Sequence, residues 1–341
     1  NPDFLLADFE ERYGAGHAQA LLAGTPGGPW ALQYRPVCGG CVLVAVLGAG
    51  VFSVLPPSMM AWKLVPIGFT ALLAAVAARR LPTRTAAAFL LLLALCPTSW
   101  LHLSLMAWGN HFEASVMGAV ALMTLATGHR RADVVVAGMA LGLGLGIGWS
   151  GVPAGVTAAA WLLLTRRWQD LPWLFSAVLL VAGPVWLGQW WTTGSHPFIT
   201  IYVAGEAIPD LRRLPHKLST LLDPVTLGAI FGANWLGESG RASSLGWLAV
   251  LPSLWIGRRS PMTQLAGLGA CAWLAAYLLV RFEIEGTAMA IDIRYCAPLL
   301  PLVMLAVADA AGTLLAGRRR LLAVGLLAGP LVPGAASRAE V

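Results

Sequence analysis

Charge is scarce in this sequence: 11% of its 341 residues are charged, against 58% that are hydrophobic. A soluble domain carries roughly 25% charge to cover its surface, so this composition excludes one. Cysteine is sparse too, with Cys38, Cys41, Cys96, Cys271 and Cys296 its five members. Only Cys38-Gly39-Gly40-Cys41 has motif spacing; a close backbone approach accounts for it as readily as a disulfide on an oxidising side. No internal repeat stands out. Gly142, Gly144, Gly146 and Gly148 recur every second residue, but no Lys-Ser/Thr follows and no strand precedes, which points to close helix packing rather than a nucleotide loop. The net charge of +6 needs no nucleic acid to explain it, because most basic residues fall in short loops.

Long apolar runs are what the sequence has instead. Gly and Pro (38 and 22 residues) lie within these runs, where membrane helices tolerate them. Of the 15 Trp, Trp62, Trp100, Trp149, Trp168, Trp190 and Trp191 lie near run ends, as in an interfacial belt. A span needs roughly 20 apolar residues. Candidate spans are 60–78, 85–101, 114–128, 132–148, 151–165, 172–191, 243–257, 261–280, 296–316 and 321–335. The expected organisation is an outer-face loop and juxtamembrane helix over 1–59, then a transmembrane bundle of about ten spans over 60–335 with a long outer loop at 192–242.

Orientation follows from Lys and Arg. Arg79, Arg80 and Arg84, Arg130 and Arg131, Arg166 and Arg167, Arg258 and Arg259, and Arg318 to Arg320 occupy every second loop, which places these loops in the cytoplasm. The alternate loops hold 12 of the 16 acids. The alternation requires that 39–55 not cross but lie as an interfacial or re-entrant helix ended by Pro56-Pro57; if it spans, residues 1–37 move to the cytoplasm.

Three groups on the acidic side could carry chemistry. The first is Asp8, Glu10, Glu11, Arg12 and His17, which fits a metal site, a general base or a solvated loop. The second is His111-Phe112-Glu113, where Glu113 could cap a helix or act in catalysis, with His111 as acceptor contact or proton relay. The third is basic: Arg212, Arg213, Lys217, Arg281 and Arg294 break the charge pattern and suit an anionic ligand or local ion pairs. Lys63 and Asp309 fall within spans, where Lys63 could snorkel outward and Asp309 could pair in the bundle.

The order of these features resembles the GT-C membrane glycosyltransferases, especially bacterial protein O-mannosyltransferase and aminoarabinose transferase-like proteins. Glu10-Glu11 followed by Leu21-Leu22-Ala23-Gly24 has the family's spacing between an acidic pair and an apolar step. Arg35-Pro36 leads into 39–55, and Arg79-Arg80 ends the next span. Glu113 stands at the start of a later one. Arg294-Tyr295, Pro298 and Pro301 reproduce the late Arg-Tyr-x-x-Pro-x-x-Pro pattern. The leading acid is Glu10 where the family usually has Asp, and the family's first span is expected before Asn1.

The resemblance implies an all-α, polytopic helix bundle with a juxtamembrane or re-entrant helix near the N-terminus. It implies transfer of a sugar, with inversion, from a polyprenyl-phosphate-linked donor to an acceptor on the non-cytoplasmic face. The setting would be a bacterial inner membrane, with membrane lipid and possible complex subunits as partners. Glu10, Glu11 and Glu113 would be catalytic, with Arg35, Arg212, Arg213 and Arg294 on the donor phosphate. A carboxylate site favours magnesium or manganese. The alternatives are a non-catalytic GT-C-like subunit, for which the Glu10 substitution speaks, and a lipid-linked-substrate transporter, which would place its charges near the midplane.

Overall fold

A computed structural model describes residues 9–26, 28–31, 41–95, 100, 104–105, 111–193, 211–222, 247–279, 297–317 and 319–328. Among these residues there is no strand. The N-terminal helices are α1 (Phe9–Leu22), α2 (Cys41–Val54), α3 (Met59–Trp62), α4 (Leu64–Arg80) and α5 (Thr83–Ala94). Next come α6 (His111–Thr127), α7 (Arg131–Ile147), α8 (Val152–Leu164) and α9 (Leu171–Thr193). The rest are α10 (Leu214–Leu222), α11 (Trp247–Ile256), α12 (Pro261–Leu279), α13 (Leu299–Ala316) and α14 (Arg320–Ala328). Each apolar run expected to span carries a helix. Among the described residues, four stretches are long and apolar enough to cross a membrane by themselves: Met59–Arg80, Trp168–Trp191, Pro261–Leu279 and Leu299–Ala316.

Helix ends have local causes. α1 stops where Gly24 takes φ 78°; its N–H bonds Leu21 O at 3.1 Å and the Thr25 N–H bonds Ala20 O at 3.2 Å. This is a Schellman stop, in which glycine adopts the left-handed conformation at least cost. Leu21-Leu22-Ala23-Gly24 is thus a helix terminator. Ser58 caps α3 by accepting from the Ala61 N–H at 3.1 Å. Arg79 and Arg80 in the last turn of α4 complement its dipole.

Two helices form the bundle's centre. α6 is buried from Phe112 to Ala126, and α13 is 83% buried. α13 packs on α5, α11, α12 and α14, while α6 packs on α4, α7, α8 and α12. The α7 glycines work as close-packing sites on several faces. A Cβ at Gly142 would lie 2.8 Å from Val178 O on α9, and one at Gly144 would lie 3.2 Å from Ala114 O on α6. Around this centre, α9 leaves Phe175, Leu179, Leu180 and Leu187 exposed, an apolar face suited to lipid.

The basic turns meet on one face. Arg80 pairs with Asp133 at 2.7 Å, and Arg131 and Arg167 reach Asp170 at 3.9 and 3.0 Å. Arg167 also donates to Gly128 O at 3.2 Å, tying the end of α6 to the same face. The two acids of these loops therefore act as bridges between turns.

The expected tryptophan belt holds only in part. Trp168, Trp190 and Trp191 are 61%, 56% and 91% exposed, but Trp62 and Trp100 are 0% and 1% exposed. Trp62 fills the seam between α1 and α2. A Cβ at Gly14 would stand 2.7 Å from its ring, and one at Gly48 would overlap it. Phe52 stacks obliquely on it at 6.2 Å. Trp100 packs on Phe112 at 4.9 Å. Two missing side chains on facing helices made room for one large ring, so position near a run end was the wrong guide.

Candidate functional site

The candidate site lies at the end of the bundle opposite the basic turns. α6 is anchored to the basic face at Gly128, so its first turn stands about 25 Å away along a 17-residue helix. α7 runs from Arg131 on the basic face and delivers Ser150 to the same far end. The α1–α2 unit joins them there. Leu43 of α2 lies where a Cβ at Gly146 would be 3.1 Å away, and Lys63 donates to Leu105 O at 3.1 Å. Lys63 thus bonds a backbone carbonyl at a helix junction, between α3 and α4.

Glu113 is the most unusual group at this end. It lies in the first turn of α6, is 0% exposed, and neither carboxylate oxygen has a hydrogen-bond partner from another of the described residues. No described N–H of another residue is capped by it, so capping alone does not account for its burial. A buried carboxyl without partners is costly and is the kind of exception that points to a ligand. Trp100 Nε1, on the ring packed against neighbouring Phe112, is likewise buried with no partner among the described residues.

His111 opens the same turn, two residues earlier and on a different face of the helix. Its Nδ1 and the Ser150 Oγ are 2.6 Å apart, and the Ser115 hydroxyl donates to the His111 carbonyl. Ser150 sits on the 3-10 turn Trp149–Gly151 between α7 and α8. That turn presses close because a Cβ at Gly151 would be 2.9 Å from Gly144 C. Sequence reasoning had no signal for Ser150; the nearby glycines are the only hint that a turn approaches α6.

The other expected site residues divide. Glu10 and Glu11 lie in the first turn of α1, with side chains outside the described residues, and His17 is half-buried on the same helix. Arg35, Arg294, Asp8 and the Cys38 half of the cysteine pair lie outside the described residues. Arg212 is exposed on the 3-10 turn Leu211–Arg213, and the Arg213 side chain is outside the description. Lys217, grouped with those arginines in the sequence, is instead 0% exposed and donates to Tyr277 O at 2.8 Å. The helical turn of α10 carries it inward against α12. Asp309 is paired within the bundle as expected, accepting from the Thr263 hydroxyl at 2.7 Å. Among the described residues, no group of three His, Cys, Asp or Glu could hold a metal ion.

No protein-family model matches the sequence, and no curated protein matches it. Solved structures do share its fold. ArnT from Cupriavidus metallidurans, in the apo state, superposes with a TM-score of 0.60 at 15% identity, over 89% of this chain and 54% of that one. Archaeal oligosaccharyltransferase AglB from Archaeoglobus fulgidus, in complex with an inhibitory peptide and a dolichol-phosphate, gives 0.54 at 14% identity, over 97% and 52%. An oligosaccharyltransferase structure from the same organism, with Zn and sulfate, gives 0.53 at 15%, over 97% and 49%. The chain spans about half the length of these structures. At such identity the likeness is one of architecture: this chain has the fold of the GT-C membrane glycosyltransferases.

Proposed function

We propose that the protein transfers a sugar from a polyprenyl-phosphate-linked donor to an acceptor hydroxyl at the end of the bundle opposite its basic turns. The observation that carries this reading is Glu113, fully buried and with no hydrogen-bond partner from another described residue, at the end where α6 meets the Ser150 turn. Fold likeness to membrane glycosyltransferases supports it, and the AglB structure holds a dolichol-phosphate.

In this reading Glu10 or Glu11 takes the proton from the acceptor hydroxyl. The freed oxygen forms a bond to the anomeric carbon as the bond from that carbon to the phosphate oxygen breaks, with inversion. The polyprenyl phosphate departs with the electron pair, and its charge is met by Arg35, Arg212, Arg213 and Arg294. Glu113 orients the acceptor, with His111 as its neighbouring relay. Magnesium or manganese would need ligands in addition to Glu113 and His111. The acceptor side corresponds to the periplasm if the basic turns are cytoplasmic.

The test is transfer from a polyprenyl-phosphate sugar by the purified protein in lipid nanodiscs. Glu10→Gln, Glu11→Gln and Glu113→Gln are expected to lower the rate. Activity unchanged by all three sinks the assignment.

A further inference from the structure

Lys217 is a wholly buried lysine that the proposed reaction does not use. It lies on α10, a short helix in the chain between α9 and α11, and it is 0% exposed. Its Nζ donates to Tyr277 O at 2.8 Å and stands 5.1 Å from the centre of the Tyr277 ring. That ring stacks on Trp273 at 5.6 Å and 10°. Tyr277 is in the last turn of α12, where carbonyls have no N–H donor from the same helix and the dipole is negative. One ammonium therefore donates to a carbonyl of the last turn, complements a helix end and rests on an aromatic face.

Elsewhere on α10 the described side chains of Pro215, His216, Leu218, Ser219 and Leu222 are exposed. Leu211, Leu218 and Leu222 are 64%, 40% and 71% exposed and follow helical spacing along one side, and exposed Arg212 begins the segment. A leucine stripe with flanking cations is the pattern of a helix lying in the membrane interface. Its depth is set by α12, whose outer end it grips.

We propose that Lys217 is a positioning residue: it pins α10 to the end of α12, so that the stripe enters the bilayer and the Arg212–Arg213 turn meets a lipid-borne phosphate at headgroup level. This rests on the glycosyl-transfer reading for its kinetics but not for its geometry. Lys217→Met keeps the apolar stem and removes the donor; Lys217→Arg restores a cation.

Hydrogen–deuterium exchange of the protein in phosphatidylcholine nanodiscs tests the pin. In Lys217→Met, amides of 214–222 are expected to exchange roughly tenfold to a hundredfold faster, with Lys217→Arg recovering most of the protection. Unchanged exchange overturns the pin. With a polyprenyl-phosphate sugar as donor, Lys217→Met should raise KM about tenfold while kcat changes by about twofold or less. A fall in kcat with KM unchanged overturns the presenting role. Faster exchange in a protein whose wild type transfers no sugar supports the pin and sinks the glycosyl-transfer reading instead.

Discussion

His111 and Ser150 are joined at 2.6 Å across two elements that share no sequence neighbourhood. The bond fixes the imidazole through Nδ1, so His111 meets any other group through Nε2. It also ties the first turn of α6 to the turn between α7 and α8.

Ser150→Ala is expected to release that ring. A lost hydrogen bond in a buried setting costs about 1–3 kcal/mol, read as a lower midpoint of thermal denaturation in detergent. Ser150→Thr, which keeps the hydroxyl, should recover most of it. Equal midpoints for wild type and Ser150→Ala would show that the contact does not hold α6.

Stability and activity should move in opposite directions at Glu113. Replacing a buried carboxyl that has no partner from another described residue by leucine is expected to be neutral or stabilising. Transfer by the same variant should fall roughly a hundredfold or more. A strongly destabilised Glu113→Leu protein would mean that the carboxyl has a structural partner.

Gly48→Ala places a methyl group into the Trp62 ring and should cost about 1–3 kcal/mol, read as loss of protease resistance over α1 and α2. Combining it with Trp62→Phe, a smaller ring, should cost less than the sum of the two changes. Additive losses would show that the residues do not share one space.

Thr263→Val leaves the Asp309 carboxylate without its described hydroxyl donor and should destabilise by about 1–3 kcal/mol. Adding Asp309→Leu should return stability toward that of the parent. If the double variant is worse than Thr263→Val, the aspartate has a second structural duty.

Burial lowers the pKa of His17 below its usual value of 6.5. The undocked helix then binds more protons than the docked one at acidic pH. Packing of α1 is fully supported above pH 6.5 and weakens as pH falls from there through the lowered value. Protection of the α1 amides, relative to exchange of the unstructured chain at the same pH, should fall as pH drops below 6.5. His17→Leu should flatten that dependence, and an unchanged profile would assign it to another group.

Periodicity and charge made the helices and their ends legible. The apolar runs coincide with helices, and the arginine-bearing turns at 79–84, 130–131 and 166–167 gather on one face. Glu113 was legible as a carboxylate opening an apolar helix. Its complete burial was not, because burial depends on which helices close over α6. Lys217 misled for a related reason: a cation in a polar segment reads as exposed until α12 offers a carbonyl and a ring. Trp62 is the same lesson in apolar form, since its slot is built from Gly14 and Gly48, far apart in the chain.

The central place of α13 has a consequence for how the protein is made. α5 packs against it, yet roughly 200 residues separate the end of α5 from the start of α13. At 5–20 residues per second, α5 waits about ten to forty seconds for its partner to leave the ribosome. During that interval a face containing Phe89 and Leu92, buried in the finished bundle, is open to bilayer or insertion machinery. Thr85, which touches the site of Gly312 in the finished protein, waits with it. The bundle is therefore completed late in synthesis, and a pause or truncation before Leu299 leaves α6 without the second central helix.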